Sequence, residues 1–297
     1  MKFVQSFWSK PMTQGTGRLV NSGFWYNKRL FVYGSVLSAL LLERHYKGNT
    51  VFVTDRFGKE LFVDKLNLNF GEIIVELDEL NDLNDTFWAM GKIYAYARMR
   101  ESFIHFDQDF FLPHPLPAHL VEAPLVAYTS EFSSVKQENI YIPNLANFLN
   151  TFQALDPRVR SFCETSPKVA YNAGVLGGYN IDIFKELWDL CWEVVKDNFD
   201  IINRSDCHYY NVIVEQFLFT CLARERNIDV ACVEKEEHVM KVARYTSMKF
   251  FPLTSSVHVI AEGKRSLVSC VYIEEILRVE FPEHYHQINR LLARNQL

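Results

Sequence analysis

Apolar residues in this chain fall into blocks of two kinds. Lys2–Trp8, Thr50–Thr54, Ile73–Leu77 and Ser102–Phe106 are short and rich in β-branched or aromatic residues, which predicts strands. Leu30–Tyr46 is longer and opens with an apolar run from Leu30 to Leu42, which predicts a buried helix. A second helix is predicted from about Thr86 to Arg100, with Asp85 as its N-cap. Strand, helix, strand, strand, helix, strand implies a largely parallel sheet covered by helices. Strands buried on both faces need no polar alternation, which accounts for their near-continuous apolarity.

Beyond Pro113, Pro115 and Pro117 the pattern is less regular. Leu125–Tyr128, Ala170–Leu176, Asp229–Val233 and Val257–Ile260 read as strands, and Asp182–Lys196 and Asn211–Arg226 as helices. From Tyr272 the tail reads as two amphipathic helices broken at Pro282. No repeat, low-complexity stretch or Gly/Ser/Pro-rich linker interrupts the chain. The expectation is one α/β domain of Rossmann-like type, with a central mostly parallel sheet flanked by helices and a C-terminal helical tail.

Composition narrows the class. Of 297 residues, 48% are hydrophobic and 23% charged, enough apolar material for a large core, which excludes disorder. The net charge of −5 argues against a general nucleic-acid partner but leaves room for one basic pocket. Cysteines 163, 191, 207, 221, 232 and 270 show no CxxC spacing, so reduced thiols acting as small buried hydrophobes are expected, in a cytoplasmic setting. Met1–Ser6 lacks the apolar core of a signal peptide. The Leu30–Leu42 run is too short for a membrane span, though peripheral contact with a membrane surface stays compatible with the chain.

The most informative stretch is Phe103-Ile104-His105-Phe106-Asp107-Gln108-Asp109-Phe110-Phe111. An apolar strand runs into two aspartates, and in parallel α/β sheets ligands bind just beyond strand carboxyl ends. On extended backbone the two side chains would face the same way, about 6.6 Å apart. Their repulsion is about 2.5 kcal/mol at an effective dielectric near 20, and a divalent cation with oxygen ligands would relieve it. Such an ion can bridge phosphates and stabilise a departing diphosphate. A strand-end cap followed by a turn would explain the same pair. The apolar residues on both sides favour the metal, because a surface turn does not need them.

Helix, hydrophobic strand and Asp-X-Asp together resemble the nucleotide-sugar-dependent glycosyltransferases of the GT-A fold. Tyr171-Asn172-Ala173-Gly174-Val175-Leu176-Gly177-Gly178 is similar to their Asn-(Ser/Ala)-Gly-hydrophobic segment. Glu215-Gln216 resembles their Asp/Glu-Gln pair on a following helix. Val257-His258 with Gly263-Lys264 resembles the late His-Phe-X-Gly-X-X-Lys-Pro-Trp segment of the family 8 enzymes. The His-to-Lys spacing matches, but the glycine adjoins the lysine and Arg265-Ser266 replaces Pro-Trp. The resemblance covers roughly residues 2–264.

The resemblance implies a glycosyltransferase moving a sugar from a nucleotide-diphosphate sugar, a UDP-sugar first, to a hydroxyl on a glycan, lipid-linked or other acceptor. It implies Mn²⁺ or Mg²⁺ held by Asp107, Asp109 and His258, the imidazole favouring Mn²⁺. Asp107 would bind the metal or a ribose, and Gly263 and Lys264 the diphosphate. Asn172 and Gly174 would meet sugar hydroxyls, and Glu215 and Gln216 the acceptor or sugar. Lys92, or Arg98, would reach the donor, and Asp55 and the Gln14–Arg18 loop the base or ribose. Residues 1–112 would form the nucleotide-binding half, 113–270 the acceptor and metal half, and 271–297 the C-terminal helices. The family 8 likeness leans towards retention of anomeric configuration.

Plainer roles compete with several of these. Glu262-Gly263-Lys264 would make a good charged turn, and Glu215 could lie on a solvated helix edge. Arg100 suits a helix C-terminus. His105 reads as a core histidine, His114 and His119 as loop residues, and His284 and His286 as solvent-facing. Glu236, Glu237 and His238 read as a charged surface turn. Two other functions remain open at this level. A haloacid-dehalogenase-like phosphohydrolase also places Asp-X-Asp after a strand, but near the N-terminus and with Thr or Val where Phe111 stands. A non-catalytic sugar- or nucleotide-binding protein of the same fold is the other.

Overall fold

The computed structural model describes residues 1–131, 141–235, 248–251 and 253–297; Glu236, Glu237 and His238 lie outside the described residues. Nine strands form among them: β1 (Lys2–Phe7), β2 (Thr50–Thr54), β3 (Glu72–Val75), β4 (Phe103–Phe106), β5 (Phe110–Phe111), β6 (Leu125–Ser130), β7 (Tyr171–Gly178), β8 (Val230–Cys232) and β9 (Val257–His258). The fold class is mixed α/β, with mostly parallel strands flanked by helices and two helices at the C-terminal end. The chain divides into two compact units. One draws on Lys2–Asp78, Phe106–Pro117 and Glu237–Leu297, the other on Met1, Glu79–His105 and Ala118–Glu236.

The unit that begins at Lys2 carries β1, β2 and β3 side by side and parallel, with Phe3 opposite Thr50 and Val51 opposite Glu72. The apolar run after Asn27 forms the helix Lys28–Tyr46, whose first turn is capped where Asn27 Oδ1 accepts the Leu30 N–H at 2.9 Å. Leu30 through Ala39 are all buried in that helix, as a continuous apolar run requires. Phe7 and Phe52 both meet Phe62 edge-on, and Phe52 stacks on Phe70.

The tail belongs to this core. Helices Leu267–Glu280 and Pro282–Ala293 pack on Lys28–Tyr46 and bury Ile273, Leu277, Ile288 and Leu291 in the same cluster as Val36. Tyr33 donates to Asn289 Oδ1 at 2.9 Å, and Arg29 pairs with Glu274. The break falls at Pro282 as expected. The first tail helix starts at Leu267, earlier than Tyr272, because the Cys270 N–H already bonds the Ser266 carbonyl at 3.0 Å.

The other unit holds strands in the order β4-β7-β6-β8, with β6 antiparallel to β7 and parallel to β8. β7 passes so close to β4 that a Cβ on Gly177 would stand 2.1 Å from the Phe103 carbonyl oxygen. Helix Ala89–Arg98 packs on Asp182–Asp197, and Leu218–Glu225 packs on the latter. Tyr96, Phe103, Phe184 and Phe219 form a chain of ring contacts through this core.

Another helix boundary also differs from the sequence expectation. The helix begins at Ala89, and Asp85 does not cap it. Asn84 Oδ1 accepts from the Thr86 N–H, and Asn211 Oδ1 accepts the Ala89 N–H at 2.7 Å. The same Asn211 amide donates to the carbonyls of Thr86 and His208 at 2.8 and 2.9 Å. The cap therefore comes from a residue over a hundred positions away, fully buried, which local sequence does not disclose. Asn211→Ala leaves these groups unsatisfied and is expected to lower unfolding free energy by about 2 kcal/mol. Urea denaturation checks this; an unchanged midpoint would show that the helix start does not depend on Asn211.

Candidate functional site

The sequence at the end of β4 builds a tight turn. The Phe110 N–H closes onto the Asp107 carbonyl at 3.0 Å, so Gln108 and Asp109 are turn residues and the chain is not extended there. The same-face spacing expected of an extended Asp-X-Asp is corrected accordingly: the turn draws the two carboxylates together. β5 follows at once and pairs antiparallel with β9, placing Phe110 opposite His258 and Phe111 opposite Val257. The Val259 N–H bonds the Asp109 carbonyl at 3.0 Å, extending that ribbon by one link. Strand pairing thus delivers His258 from 149 positions downstream to the aspartate turn.

A buried polar relay anchors the turn from below. Gln5 on β1 donates through Nε2 to Ser38 Oγ at 2.8 Å, and Ser38 donates to the Phe110 carbonyl at 2.6 Å. Both side chains are buried, so each bond is made away from competing water. These are residues that sequence reasoning missed. The available signal was a serine inside an otherwise apolar helix run.

Ligand atoms of Asp107, Asp109 and His258 all lie within 4.8 Å of one another, which makes them a candidate metal site. His258 Nε2 stands 3.3 Å from Asp109 Oδ1 and 3.8 Å from Asp107 Oδ2. The side chains are 24, 13 and 4% exposed for Asp107, Asp109 and His258, so the cluster is half-sheltered. Lys264, on the short turn Ala261–Arg265 after β9, places Nζ 2.7 Å from Asp109 Oδ2. Burial pushes the Asp109 carboxyl upward, but the Lys264 ammonium and the His258 ring outweigh it and hold the group well below the usual carboxylate range.

These residues fit a divalent cation. Two carboxylates and an imidazole nitrogen are the oxygen-plus-nitrogen set that suits Mn²⁺. Asp109 Oδ1 is buried and accepts no hydrogen bond among the described residues; the His258 ring lies close without completing one. A buried, ionised oxygen with unused acceptor capacity is where a cation contributes most.

The matching candidates in the other unit form a second polar cluster. Glu215 is 1% exposed, and its Oε1 accepts from the Tyr96 hydroxyl at 2.6 Å and pairs with Lys92 Nζ at 2.8 Å. Lys92 also donates to the Ala173 carbonyl at 3.3 Å. Asn172 Oδ1 accepts the Gly174 N–H and its Nδ2 donates to Glu131 Oε1, both at 2.9 Å. The Tyr141 hydroxyl meets Glu131 and lies 3.1 Å from Gln216 Oε1. Burial and the neighbouring Glu131 carboxylate push the Tyr141 phenol upward, so it stays a donor.

One comparison places the chain in a family. A family model described as "Family of unknown function (DUF6734)" matches residues 1–291. The chain belongs to the DUF6734 family. No curated protein matches it. Among solved structures, the apo form of mouse xyloside xylosyltransferase 1 is similar at 16% identity and a TM-score of 0.37. That alignment covers 78% of this chain and 84% of that one. A likeness this distant bears on no residue of the DUF6734 chain.

Other expected site residues in this DUF6734 chain have structural occupations. Asp55 is buried; its Oδ1 accepts the Gly58 N–H at 2.8 Å and its Oδ2 the Ser9 N–H at 2.7 Å. Both oxygens are thus used to cap the turn after β2 and to tie down the chain leaving β1. Gln14 to Arg18 are exposed, with Gln14, Gly15 and Gly17 in the left-handed region. Arg98 is exposed and lies over the Tyr94 ring while pairing with Glu79. Gly263 sits in the Ala261–Arg265 turn, its N–H on the Ile260 carbonyl at 2.9 Å. His105 is buried in β4, where burial and then Lys92 hold its pKa well below the ordinary value, as a neutral core histidine. His114 and His119 are exposed, His286 is exposed and His284 half-buried.

The cysteines are free, five buried and Cys232 half-buried. Burial pushes the Cys207 and Cys221 thiols up to about 11, so they act as apolar filler. Glu131, Tyr96 and Tyr141 are the polar residues of this unit that sequence reasoning missed. Glu131 directly follows an apolar strand, the same signal that singled out Asp107. The Lys92–Glu215 pair gives a test. Lys92→Met leaves a buried carboxylate without its cation and is expected to cost about 3–5 kcal/mol, most of it recovered by adding Glu215→Leu. Urea denaturation of the three proteins checks this, and a single variant as stable as the wild type would show that the pair does not matter.

Proposed function

We propose that this protein is a divalent-metal-dependent glycosyltransferase that uses a nucleoside-diphosphate sugar, a UDP-sugar first, and delivers the sugar to a hydroxyl acceptor. The observation that carries the reading is the convergence of Asp107, Asp109, His258 and Lys264, two anions, an imidazole and a cation, at the C-terminal end of β4. Phosphate-bearing ligands bind at strand carboxyl ends in α/β proteins, where a cation and an ammonium can neutralise a diphosphate. The order of the sequence motifs supports the same reading.

In this reading Asp109 and His258 hold the cation, with Asp107 on the cation or on a ribose. Bound there, the cation would neutralise charge on the diphosphate as the sugar bond breaks. Lys264 supplies a second positive charge, and the Gly263 backbone allows close approach of a phosphate. For Asn172, Gly174 and Gln216 the reading keeps the hydroxyl-binding role that the resemblance implies. For Lys92 and Glu215 it keeps contact with donor and acceptor, within an ion pair whose geometry is fixed by Tyr96. Catalysis would be mainly electrostatic and positional. Among the described residues no helix is long and apolar enough to cross a membrane.

A thermal-shift panel tests the reading: UDP, GDP and CMP, each with Mn²⁺, Mg²⁺ or EDTA, on wild type and Asp109→Ala. A nucleotide at a hundred times its dissociation constant stabilises by about 2.7 kcal/mol, a readily detected rise in melting temperature. UDP is expected to stabilise the wild type only with metal, and Asp109→Ala is expected to abolish the effect. If no nucleotide shifts the wild type under any metal condition, the reading fails and phosphatase assays come next.

A further inference from the structure

The geometry points to Lys264 as a built-in counter-ion that occupies Asp109 in place of a divalent cation and must leave it when the cation enters. The inference rests on the metal site proposed above and concerns how that site is loaded. Lys264 Nζ lies 2.7 Å from Asp109 Oδ2, a direct ion pair with a side chain only 13% exposed. An ammonium on one oxygen of a carboxylate and a dication on the other repel strongly in a site this sheltered. The two cations therefore compete for Asp109.

Among the described residues the ammonium has few other partners. Nζ approaches the Gly23 carbonyl at 3.4 Å and stands 5.9 Å from the centre of the Trp25 ring. Neither is an anion. Trp25 is 4% exposed and fixed against the helix Lys28–Tyr46, where a Cβ on Gly34 would stand 2.8 Å from its ring. The Trp25 face is therefore a fixed wall and not a second counter-ion. The Lys264 carbonyl accepts the Tyr26 N–H at 3.2 Å, tying the turn to the Gly23–Tyr26 segment. The turn itself starts with Ala261 at φ +44°, a conformation that costs free energy outside glycine and that a shifted turn could relax.

An ammonium driven off Asp109 needs a new anion, and a phosphate-bearing ligand held by the same cation supplies it. Metal and nucleoside diphosphate should then bind cooperatively: the metal alone enters weakly because Lys264 opposes it, and the diphosphate removes that opposition.

The test measures Mn²⁺ binding directly, by electron paramagnetic resonance of free Mn²⁺ and by calorimetry, on wild type, Lys264→Gln and Lys264→Arg, without nucleotide and then with UDP. Folding is confirmed by circular dichroism. Should the glutamine variant not fold, Lys264→Met, which keeps the apolar stem beside Trp25, answers the same question. Without nucleotide, Lys264→Gln is expected to bind Mn²⁺ about tenfold tighter than wild type or better, and Lys264→Arg as weakly as wild type. UDP is expected to tighten Mn²⁺ binding in wild type and to do so less in Lys264→Gln. Equal or weaker Mn²⁺ binding by Lys264→Gln overturns the competition and leaves the metal site standing. Absence of Mn²⁺ binding in every protein, with and without UDP, overturns both.

Discussion

Two carboxylates brought to within 4.8 Å in a half-sheltered turn repel by about 3.5 kcal/mol at an effective dielectric near 20, and the segment 106–117 can adopt its turn only if that charge is met. The chain meets it from β9, with the His258 ring, and from the turn after it, with the Lys264 ammonium. The ribbon between β5 and β9 has this consequence. It is only two residues long, but its register puts His258 opposite Phe110, next to the turn and not over it. A slip of one residue would turn His258 to the other face and leave the aspartates to Lys264 alone. Ribbon and ion cluster therefore specify each other.

The anchoring of the turn follows the same logic. A tight turn closed by one backbone bond can deform under repulsion. Here the Phe110 carbonyl is also held by Ser38, and Ser38 by Gln5. The relay runs from β1 through the most buried helix of this unit. Its bonds are strong because water is excluded, and breaking one would strand the others. Polar residues placed in an apolar strand and an apolar helix serve the loop that bears the charges. In the other unit the buried Glu215 is handled similarly, with Lys92 and Tyr96 on one neighbouring helix closing around it.

Legibility in the sequence divides along the line between local and distant partners. Apart from β5, the strands and the long helix were readable because apolar runs and their spacing are local properties. So was Asp-X-Asp, because apolar residues on both sides of two acids are visible without a structure. His258 and Lys264 were readable through the resemblance, and pairing of β5 with β9 is what brings them to Asp109. What was hidden depends on partners far along the chain. Asn211 starts a helix that Asp85 was expected to start, because a buried amide from another element reaches the Ala89 N–H where the half-buried Asp85 does not cap it. Asp55 was readable as a strand-end acid, but its engagement by the Ser9 and Gly58 N–H groups was not. Glu131 passed unnoticed because one acid after a strand draws less attention than two.

The fate of Asp55 sharpens what distinguishes the two strand-end acids of this unit. Asp55 follows the buried parallel strand β2, Asp109 sits in the turn after β4, and both are sheltered. Asp55 spends both its oxygens on backbone N–H groups, which stabilise its charge by hydrogen bonding. Asp109 spends one oxygen on a side-chain ammonium that sits on a flexible stem, and its other oxygen accepts no hydrogen bond among the described residues. Backbone partners are part of the fold and cannot be exchanged without unfolding it. A lysine is held by a few soft torsions and can be exchanged for another cation. The two acids thus differ less in burial, which they share, than in whether the partner that meets each of them can leave.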